Sequence, residues 1–241
     1  MSFPLLKQSI KANISLWGIV TVIMNVILAQ LLLMDGMSQL VPTMYYGMLC
    51  LMMCALYIVI ATNNLLAGQV DRGSMAYILS TPIKRSKVVI TQLIYLAGSL
   101  FVTFSLLTIN FLLCNQTLSA QASFATDTIV YMNLGALLVA LALSSICFMT
   151  SGIFNLSKYS IGSGGMIVVA FLLLALIGSF SNYGVTGLDV FKDLTIVSLY
   201  NIGDIIADKG QWVAQLSILG IIAIIGYSVG GIWFTKKDLP L

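Results

Sequence analysis

The sequence predicts an all-α integral membrane protein with six transmembrane helices and with both termini in the cytoplasm. Hydrophobic residues make up 59% of the chain and charged residues 8%, a composition far from that of a soluble domain. Apolar stretches of about twenty residues, each long enough to cross the hydrocarbon core of a bilayer, recur along the whole chain. We therefore interpret residues 1–241 as a single transmembrane domain.

The apolar stretches define six predicted spans. They cover residues 14–34, 43–66, 88–113, 128–154, 161–180 and 212–234. The first stretch begins only after Lys7 and Lys11 and lacks a small-residue cleavage site, so we expect it to stay as an anchor rather than to be removed as a signal peptide. An even number of spans places both termini on the same side.

The basic residues predict which side that is. Short loops rich in Lys and Arg stay in the cytoplasm. Two basic residues, Lys192 and Lys209, fall on the predicted outer side. Nine fall on the predicted inner side, namely Lys7, Lys11, Arg72, Lys84, Arg85, Lys87, Lys158, Lys236 and Lys237. This asymmetry predicts cytoplasmic termini.

Residues 1–12 predict a short amphipathic helix before the first span. Leu6, Ile10 and Ile14 recur at helical spacing, while Lys7 and Lys11 occupy another face. We expect this helix to lie along the inner interface and then turn into the first span, with Trp17 at headgroup level.

The residue types present argue against enzyme chemistry within the chain. The sequence has no His and no Glu, the usual parts of zinc sites, of His-activated nucleophiles and of carboxylate pairs. It also has no Gly-Lys dipeptide and therefore no P-loop. Four cysteines, Cys50, Cys54, Cys114 and Cys147, lie in or at the ends of spans, where Cys commonly behaves as a small apolar residue. We expect neither a metal nor a cofactor to be bound by this chain.

A few polar residues lie within the spans and have two interpretations. Either they line a translocation pathway, or they form hydrogen bonds between helices, which is at least as common. These candidates are Asn25, Gln30, Asn63, Asn64 and Asn110. Ionisable residues at membrane depth, which proton-coupled carriers usually keep, are not evident.

Small residues at four-residue spacing predict close helix packing. Ala136, Ala140 and Ser144 form one such row, and Gly226 and Gly230 form another in the last span.

The connection between the second and third spans, residues 67–87, is the most informative segment. Met75, Ile78 and Leu79 have the spacing of one helical face, which predicts a short helix over 74–80. Thr81 followed by Pro82 is typical of a helix start, so we expect the third helix to begin there. Such a helix either docks into a groove of a partner protein or lies on lipid headgroups.

The motifs of this segment resemble a known family. They read Asp71-Arg72-Gly73-Ser74, then Ile78-Leu79-Ser80-Thr81-Pro82, then Lys84-Arg85, and just after the last span the sequence reads Phe234-Thr235-Lys236-Lys237-Asp238-Leu239-Pro240. The pattern is similar to that of the membrane permease subunits of bacterial type-two ATP-binding-cassette (ABC) exporters. Ser74 stands where the family more often has Thr, and Gln69 where acidic residues are frequent.

The resemblance implies a function and a set of partners. It implies a multi-pass permease of the bacterial cytoplasmic membrane that pairs with a second copy or a sister permease. Two separate nucleotide-binding ATPase subunits would bind ATP and Mg, and membrane lipid would surround the spans; no nucleic acid is expected. By the resemblance, the residues that couple the permease to the ATPase are Asp71, Arg72, Gly73, Ser74, Met75, Ile78, Leu79, Pro82, Lys84 and Arg85.

The resemblance also implies that residues 181–211 form short outer helices or a re-entrant turn, and that the substrates are amphipathic peptides or other hydrophobic compounds. Two other classes of function stay open at this point. One is a stand-alone carrier or channel, and the other is a membrane scaffold that recruits a cytosolic protein.

Overall fold

A computed structural model describes residues 2–34, 36–80, 83–118, 123–180, 187–188, 190–191, 194–207 and 210–238. Within these residues the chain is helical and has no strand. Six helical segments are long and apolar enough to span a membrane: Phe3–Leu33, Ser38–Leu65, Arg85–Asn115, Thr126–Ile153, Ser157–Ser179 and Gln211–Lys236. The predicted fold class and number of spans are therefore confirmed.

The α-helices are α1 (Phe3–Leu33), α2 (Cys50–Leu65), α3 (Ala67–Asp71), α4 (Ser74–Leu79), α5 (Arg85–Asn115), α6 (Thr126–Ile153), α7 (Ser157–Ser179), α8 (Ile202–Ile206) and α9 (Gln211–Lys236). The second span begins with a 3₁₀ turn, Ser38–Leu40, and a π-helix, Val41–Leu49, that run into α2. A 3₁₀ helix, Ile196–Leu199, precedes α8.

The expected separate interfacial helix at the N-terminus is wrong. Residues 3–12 are helical, but they continue into the first span as one helix of 31 residues, about 46 Å long at 1.5 Å per residue. Neither Gly nor Pro interrupts the chain between Pro4 and Gly18. Ser9 and Asn13 are buried on the same continuous helix, so packing begins well before the predicted first span.

Trp17 likewise does not occupy a helix end. It lies near the middle of α1, and its indole Nε1 donates to the Ser99 carbonyl oxygen at 3.1 Å and to Thr103 Oγ1 at 2.9 Å. Both acceptors are on α5. The ring is therefore fixed between two spans.

A seam of hydrogen bonds joins α1 to α5, which run parallel. Ser9 Oγ donates to Gln92 Oε1 at 2.7 Å, near the beginning of both helices. Thr21 and Thr103 share a hydrogen bond of 3.0 Å further along. Such bonds are useful within a bilayer because the hydrophobic effect does not drive helices together there.

Helix α6 is the centre of the bundle, and it packs on α2, α5, α7 and, most extensively, α9. The α6–α9 contact depends on small residues. A Cβ on Gly230 would lie 2.7 Å from Met149 Cα, and a Cβ on Gly152 would lie 2.6 Å from the Gly230 carbonyl oxygen. Gly226 approaches Ser145 equally closely. The close packing predicted from Gly226 and Gly230 is therefore confirmed.

One end of the bundle carries both termini and the connections α2–α5 and α6–α7. Arg85 Nη1 donates to the Lys237 carbonyl oxygen at 2.8 Å, and the Ser2 backbone N–H donates to Thr91 Oγ1 at 3.0 Å. The nine basic residues of the predicted inner side lie on the segments that meet here. We call this the basic end.

The opposite end carries short helices, as expected for the 181–211 segment. Within its described residues these are Ile196–Leu199 and α8. Tyr200, between them, is buried against Gly135 of α6 and donates its hydroxyl to the Met132 carbonyl oxygen at 2.8 Å. An aromatic side chain thus anchors this segment to the central helix.

Candidate partner-docking site at the basic end

The predicted short helix between the second and third spans exists as α4, Ser74–Leu79. It is preceded by α3 and by Gly73, whose φ of 70° lies in the left-handed region. That conformation favours glycine because it places a side-chain Cβ in steric conflict with the backbone. Gly73 therefore sets the angle at which α4 leaves α3.

Helix α3 is held against the rest of the bundle. Asp71 Oδ2 accepts a hydrogen bond of 3.2 Å from the backbone N–H of Ser157, the first residue of α7. A carboxylate at a helix N-terminus is stabilised by the unpaired N–H groups and by the helix dipole. Ala67 N–H donates to Ser151 Oγ of α6 at 3.1 Å. These contacts fix the base from which α4 projects.

Arg72 and Ser74 form side-chain hydrogen bonds to backbone carbonyl oxygens of α3. Arg72 Nε donates to the Gly68 carbonyl oxygen at 2.8 Å. Ser74 Oγ donates to the Gln69 carbonyl oxygen at 3.1 Å. Both bonds stabilise the α3–α4 corner, so these two residues have a structural role in addition to the predicted one.

The apolar residues of α4 differ in what they contact. Met75, predicted to face a partner, is 0% exposed and belongs to the bundle's own core, so this prediction is wrong. Ile78 is half-buried and packs against the same core. Tyr77, in contrast, is 82% exposed and was missed, since it falls outside the face that the apolar spacing selected.

Two of the residues predicted to couple to the ATPase are not fully described by the structure. Pro82 lies outside the described residues, and so does the side chain of Leu79. The expected start of the third helix at Thr81–Pro82 is wrong, because α5 begins at Arg85 with Lys84 as its N-cap residue.

A groove opens between α4 and the first turns of α1. Its volume is about 410 Å³. Its lining mixes polar and apolar side chains: Ser2, Pro4, Leu5, Gln8, Ser74, Tyr77, Ile78 and Ile83. Tyr77 stands on its rim as a large, exposed amphipathic side chain, the type that is enriched where proteins bind each other.

The basic residues beside the groove have different environments. Lys84 is exposed. Arg85 donates to the Lys237 carbonyl oxygen, and Lys237 Nζ in turn donates to the Phe154 carbonyl oxygen at 3.2 Å. Burial lowers the pKa of Lys237 to about 8. Arg85 and Lys237 thus tie the beginning of α5, the end of α9 and the α6–α7 turn together.

Three of the five candidate pathway residues, Asn63, Asn64 and Asn110, donate side-chain hydrogen bonds to another helix. Asn110 Nδ2 donates to the Asn25 carbonyl oxygen at 2.8 Å, and Asn25 Nδ2 donates to the Thr21 carbonyl oxygen at 2.8 Å. The same arrangement joins the two asparagines at the end of α2 to their neighbours. Asn64 Nδ2 bonds Asn13 Oδ1 at 3.2 Å, and Asn63 Nδ2 bonds Ser157 Oγ at 3.4 Å.

For Asn63, Asn64 and Asn110, these hydrogen bonds support the alternative that the sequence left open, in which polar residues hold helices together. Asn25 and Asn110 lie in the second half of α1 and α5, whereas Asn63 and Asn64 lie near the basic end. Gln30 is exposed on α1. The five residues are therefore not gathered into one site.

No protein-family model matches the chain, and no curated protein is significantly similar to it.

Proposed function

We propose that this protein is the permease subunit of an ATP-driven ABC exporter, and that α4 and the adjoining groove are where its separate ATPase subunits dock. The observation that carries the proposal is a two-turn helix outside the spans, braced from below by α3 and exposing one large aromatic side chain, Tyr77. A rigid base is needed if movement of a docked ATPase is to be transmitted to the spans rather than absorbed locally.

The bracing reaches several spans directly. Asp71 connects α3 to the beginning of α7, and Ala67 connects it to α6. Met75 places α4 itself in the core. A force on α4 would therefore act on α6 and α7 together, which is what coupling of ATP binding to a change of state requires. ATP must bind one state of the assembly more tightly to shift its equilibrium.

The motifs of residues 71–85 and of residues 234–240 add the second line of support. They resemble those of bacterial type-two ABC exporters, whose ATP and Mg are bound by separate subunits. On this proposal the permease works in the bacterial cytoplasmic membrane as a pair of copies or with a sister permease. Its substrates would be amphipathic peptides or other hydrophobic compounds.

A co-purification experiment tests the docking site. The tagged chain is expressed in its native cell and purified in mild detergent, and the co-purifying P-loop ATPase is quantified. We expect Tyr77→Ala to reduce the recovered ATPase about tenfold or more, since aromatic anchors at interfaces often contribute 2 kcal/mol or more. Tyr159→Ala is the matched control, because Tyr159 is also an exposed tyrosine at the basic end but lies on α7.

Three results separate the outcomes. Full recovery of the ATPase with Tyr77→Ala would contradict docking at α4 and favour the lipid-surface alternative. Failure of the unaltered chain to recover any ATPase would contradict the proposed function itself and favour a stand-alone carrier. Met75→Asp serves as a folding comparison, since a charge at this fully buried position should lower the yield of folded protein rather than docking alone.

A labelling experiment tests the orientation that this function requires, because the ATPases are cytosolic. Single cysteines at Ser86 (basic end) and Gln211 (opposite end) are introduced after the four native cysteines are replaced by alanine. An impermeant maleimide added to intact cells should label the cysteine at 211, and should label the one at 86 only after permeabilisation. The reverse pattern would place the basic end outside and exclude cytosolic docking there.

A further inference from the structure

A second groove lies on the membrane-facing side of the α1–α5 pair, away from the docking site. Its volume is about 320 Å³, and its lining is almost wholly apolar. The side chains that shape it are Ile10, Ile14 and Trp17 of α1 and Ile94, Gly98 and Val102 of α5. Ile10, Ile14, Ile94 and Val102 are exposed on the surface of the helix bundle. The groove therefore faces outwards from the bundle, towards the bilayer, and not into the core.

The groove is as deep as one leaflet. On α1 it extends from Leu6 to Trp17, a rise of about 16 Å over eleven residues at 1.5 Å each. Half of a hydrocarbon core is about 15 Å. Trp17 closes the end of the groove that is farther from the basic end. Its indole is held there by hydrogen bonds to Ser99 and Thr103. The groove therefore has a fixed floor at the level of Ser99 and Thr103 of α5.

Gly98 gives the groove its width on the α5 side. A Cβ built on Gly98 would meet nothing within 4 Å, so the missing side chain leaves open space rather than allowing a close contact between helices. This distinguishes Gly98 from Gly226 and Gly230, whose lack of a side chain is used for packing. The space at Gly98 is available to a molecule from the bilayer.

Positively charged side chains lie beside the end of the groove that is nearest the basic end of the bundle. Lys87 precedes Ile94 by seven residues, two helical turns, and so lies on the same face of α5. Lys7 bears the same relation to Ile14 on α1. Both lysines are exposed, and neither forms an ion pair with any carboxylate among the described residues. Long basic side chains at this depth extend towards the headgroup region.

We propose that this groove is a binding site for an anionic phospholipid from the leaflet at the basic end, with one acyl chain along the α1–α5 groove and the headgroup between Lys7 and Lys87. The length of the groove and its apolar lining fit an acyl chain, and the two lysines fit an anionic headgroup. A transmembrane helix of a second copy would extend past Trp17 into the other leaflet and would leave both lysines unpaired. The proposal does not depend on the ATPase partner or on which side of the membrane the basic end faces.

Trp17 provides the readout, because it forms the floor of the groove. The full chain carrying Trp212→Phe and Trp233→Phe, so that Trp17 is its sole tryptophan, is reconstituted into phosphatidylcholine vesicles. Increasing fractions of phosphatidylglycerol or phosphatidylcholine with dibrominated acyl chains are then included, since bromine quenches an indole that it contacts. We expect the phosphatidylglycerol to reach half-maximal quenching at a clearly lower mole fraction than the brominated phosphatidylcholine.

Four variants examine the two parts of the site. Lys7→Gln and Lys87→Gln should each weaken the preference for phosphatidylglycerol by up to about fivefold, and Lys87→Arg should retain it. Gly98→Leu should fill the groove and reduce quenching by both lipids. Gly220→Leu is its matched control, because Gly220 is also helical and has nothing within 4 Å of its Cβ position, but lies on α9.

Each contrary result overturns the proposal. Equal quenching by the two brominated lipids would mean ordinary surrounding lipid. Unchanged quenching in Gly98→Leu would mean that no chain enters the groove. Absence of quenching by either lipid would mean that protein, such as a second copy, covers this surface. Circular dichroism of each variant checks that the helical fold is retained.

Discussion

Helices α6 and α7 are adjacent in the chain and are both strongly apolar, yet they have opposite places in the bundle. In the most hydrophobic 18-residue stretch of each, 72% of the residues of α6 are buried and 17% of those of α7. Helix α6 contacts four other spans, whereas α7 packs on α6 and α2. Apolar composition therefore identifies both as spans without distinguishing the centre from the edge.

The difference follows from side-chain size and polarity. Helix α6 has Gly135, Ser145 and Gly152 at points where Tyr200, Gly226 and Gly230 approach closely. The exposed part of α7 consists of larger side chains, including Met166, Val169 and Leu173. Within a bilayer, lipid is as apolar as Leu, so helices associate through close packing and hydrogen bonds. Small and weakly polar residues at these contact points hold α6 in the centre, whereas Gly162 of α7 has nothing within 4 Å of its Cβ position.

The α6–α9 contact should be the most sensitive part of the molecule to added volume. Gly230→Leu places a side chain where Met149 Cα already lies, and we expect it to prevent formation of the native bundle or to destabilise it by more than about 3 kcal/mol. Gly220→Leu, on the same helix in open space, should be nearly neutral. Unfolding in mixed micelles with increasing SDS measures both. Equal stability of the two variants would contradict the packing described for α6 and α9.

The same substitution, Leu to Ala, should have different effects on stability in α6 and in α7. Leu143 of α6 is fully buried and Leu173 of α7 is 53% exposed. We expect Leu143→Ala to cost about 2 kcal/mol or more, because it leaves a cavity, and Leu173→Ala to cost less than about 0.5 kcal/mol, because lipid fills the space. The same SDS titration reports the difference. A larger loss for Leu173→Ala would indicate that α7 is covered by another protein surface.

A single hydrogen bond between α6 and α9 should contribute less than packing. The Tyr227 hydroxyl bonds Ser144 Oγ, which also donates to the Leu141 carbonyl oxygen at 2.9 Å. Tyr227→Phe leaves that second bond intact, so we expect a loss of about 0.6 kcal/mol, the usual size of such bonds in membrane proteins. A loss as large as that for Leu143→Ala would mean that polarity matters more than volume here.

The smallest predicted effect is a pH dependence at the α6–α7 turn, where Lys237 bonds Phe154. The pKa of Lys237 falls from 10.5 to about 8 on burial. The unfolded state therefore binds more protons than the native state between these two values, and Lys237 makes stability rise with pH across this range. Lys237→Gln should reduce that slope. An unchanged slope would mean that Lys237 is solvated in the native protein.

The spans themselves were predictable to within a few residues at most boundaries, because about twenty apolar residues are needed to cross a bilayer. The first span is the exception, since its helix starts at Phe3. The sequence indicated an amphipathic segment there, but only contacts such as that of Ser9 with Gln92 show that it packs as part of the same helix. Local amphipathicity does not reveal whether a helix bends at its junction with the next.

The docking segment was predicted in part. The spacing of Met75, Ile78 and Leu79 correctly predicted a short helix, because helical periodicity is a local property. It did not predict that Met75 would be buried in the protein itself or that Tyr77 would be exposed. A helix with an apolar face must bury it, and only the position of neighbouring spans decides whether that face meets its own chain or a partner.

The sequence by itself determined the class of the protein, the number of spans, the asymmetry of basic charge and the glycines of the last span that pack closely. These properties depend on composition and on spacing along one helix. The tertiary structure decided which helix is central, that the polar residues of the spans bond between helices, and where α4 is anchored. The physical reason is that these properties depend on which side chains from distant segments meet, and apolar residues facing lipid have the same local pattern as apolar residues facing another helix.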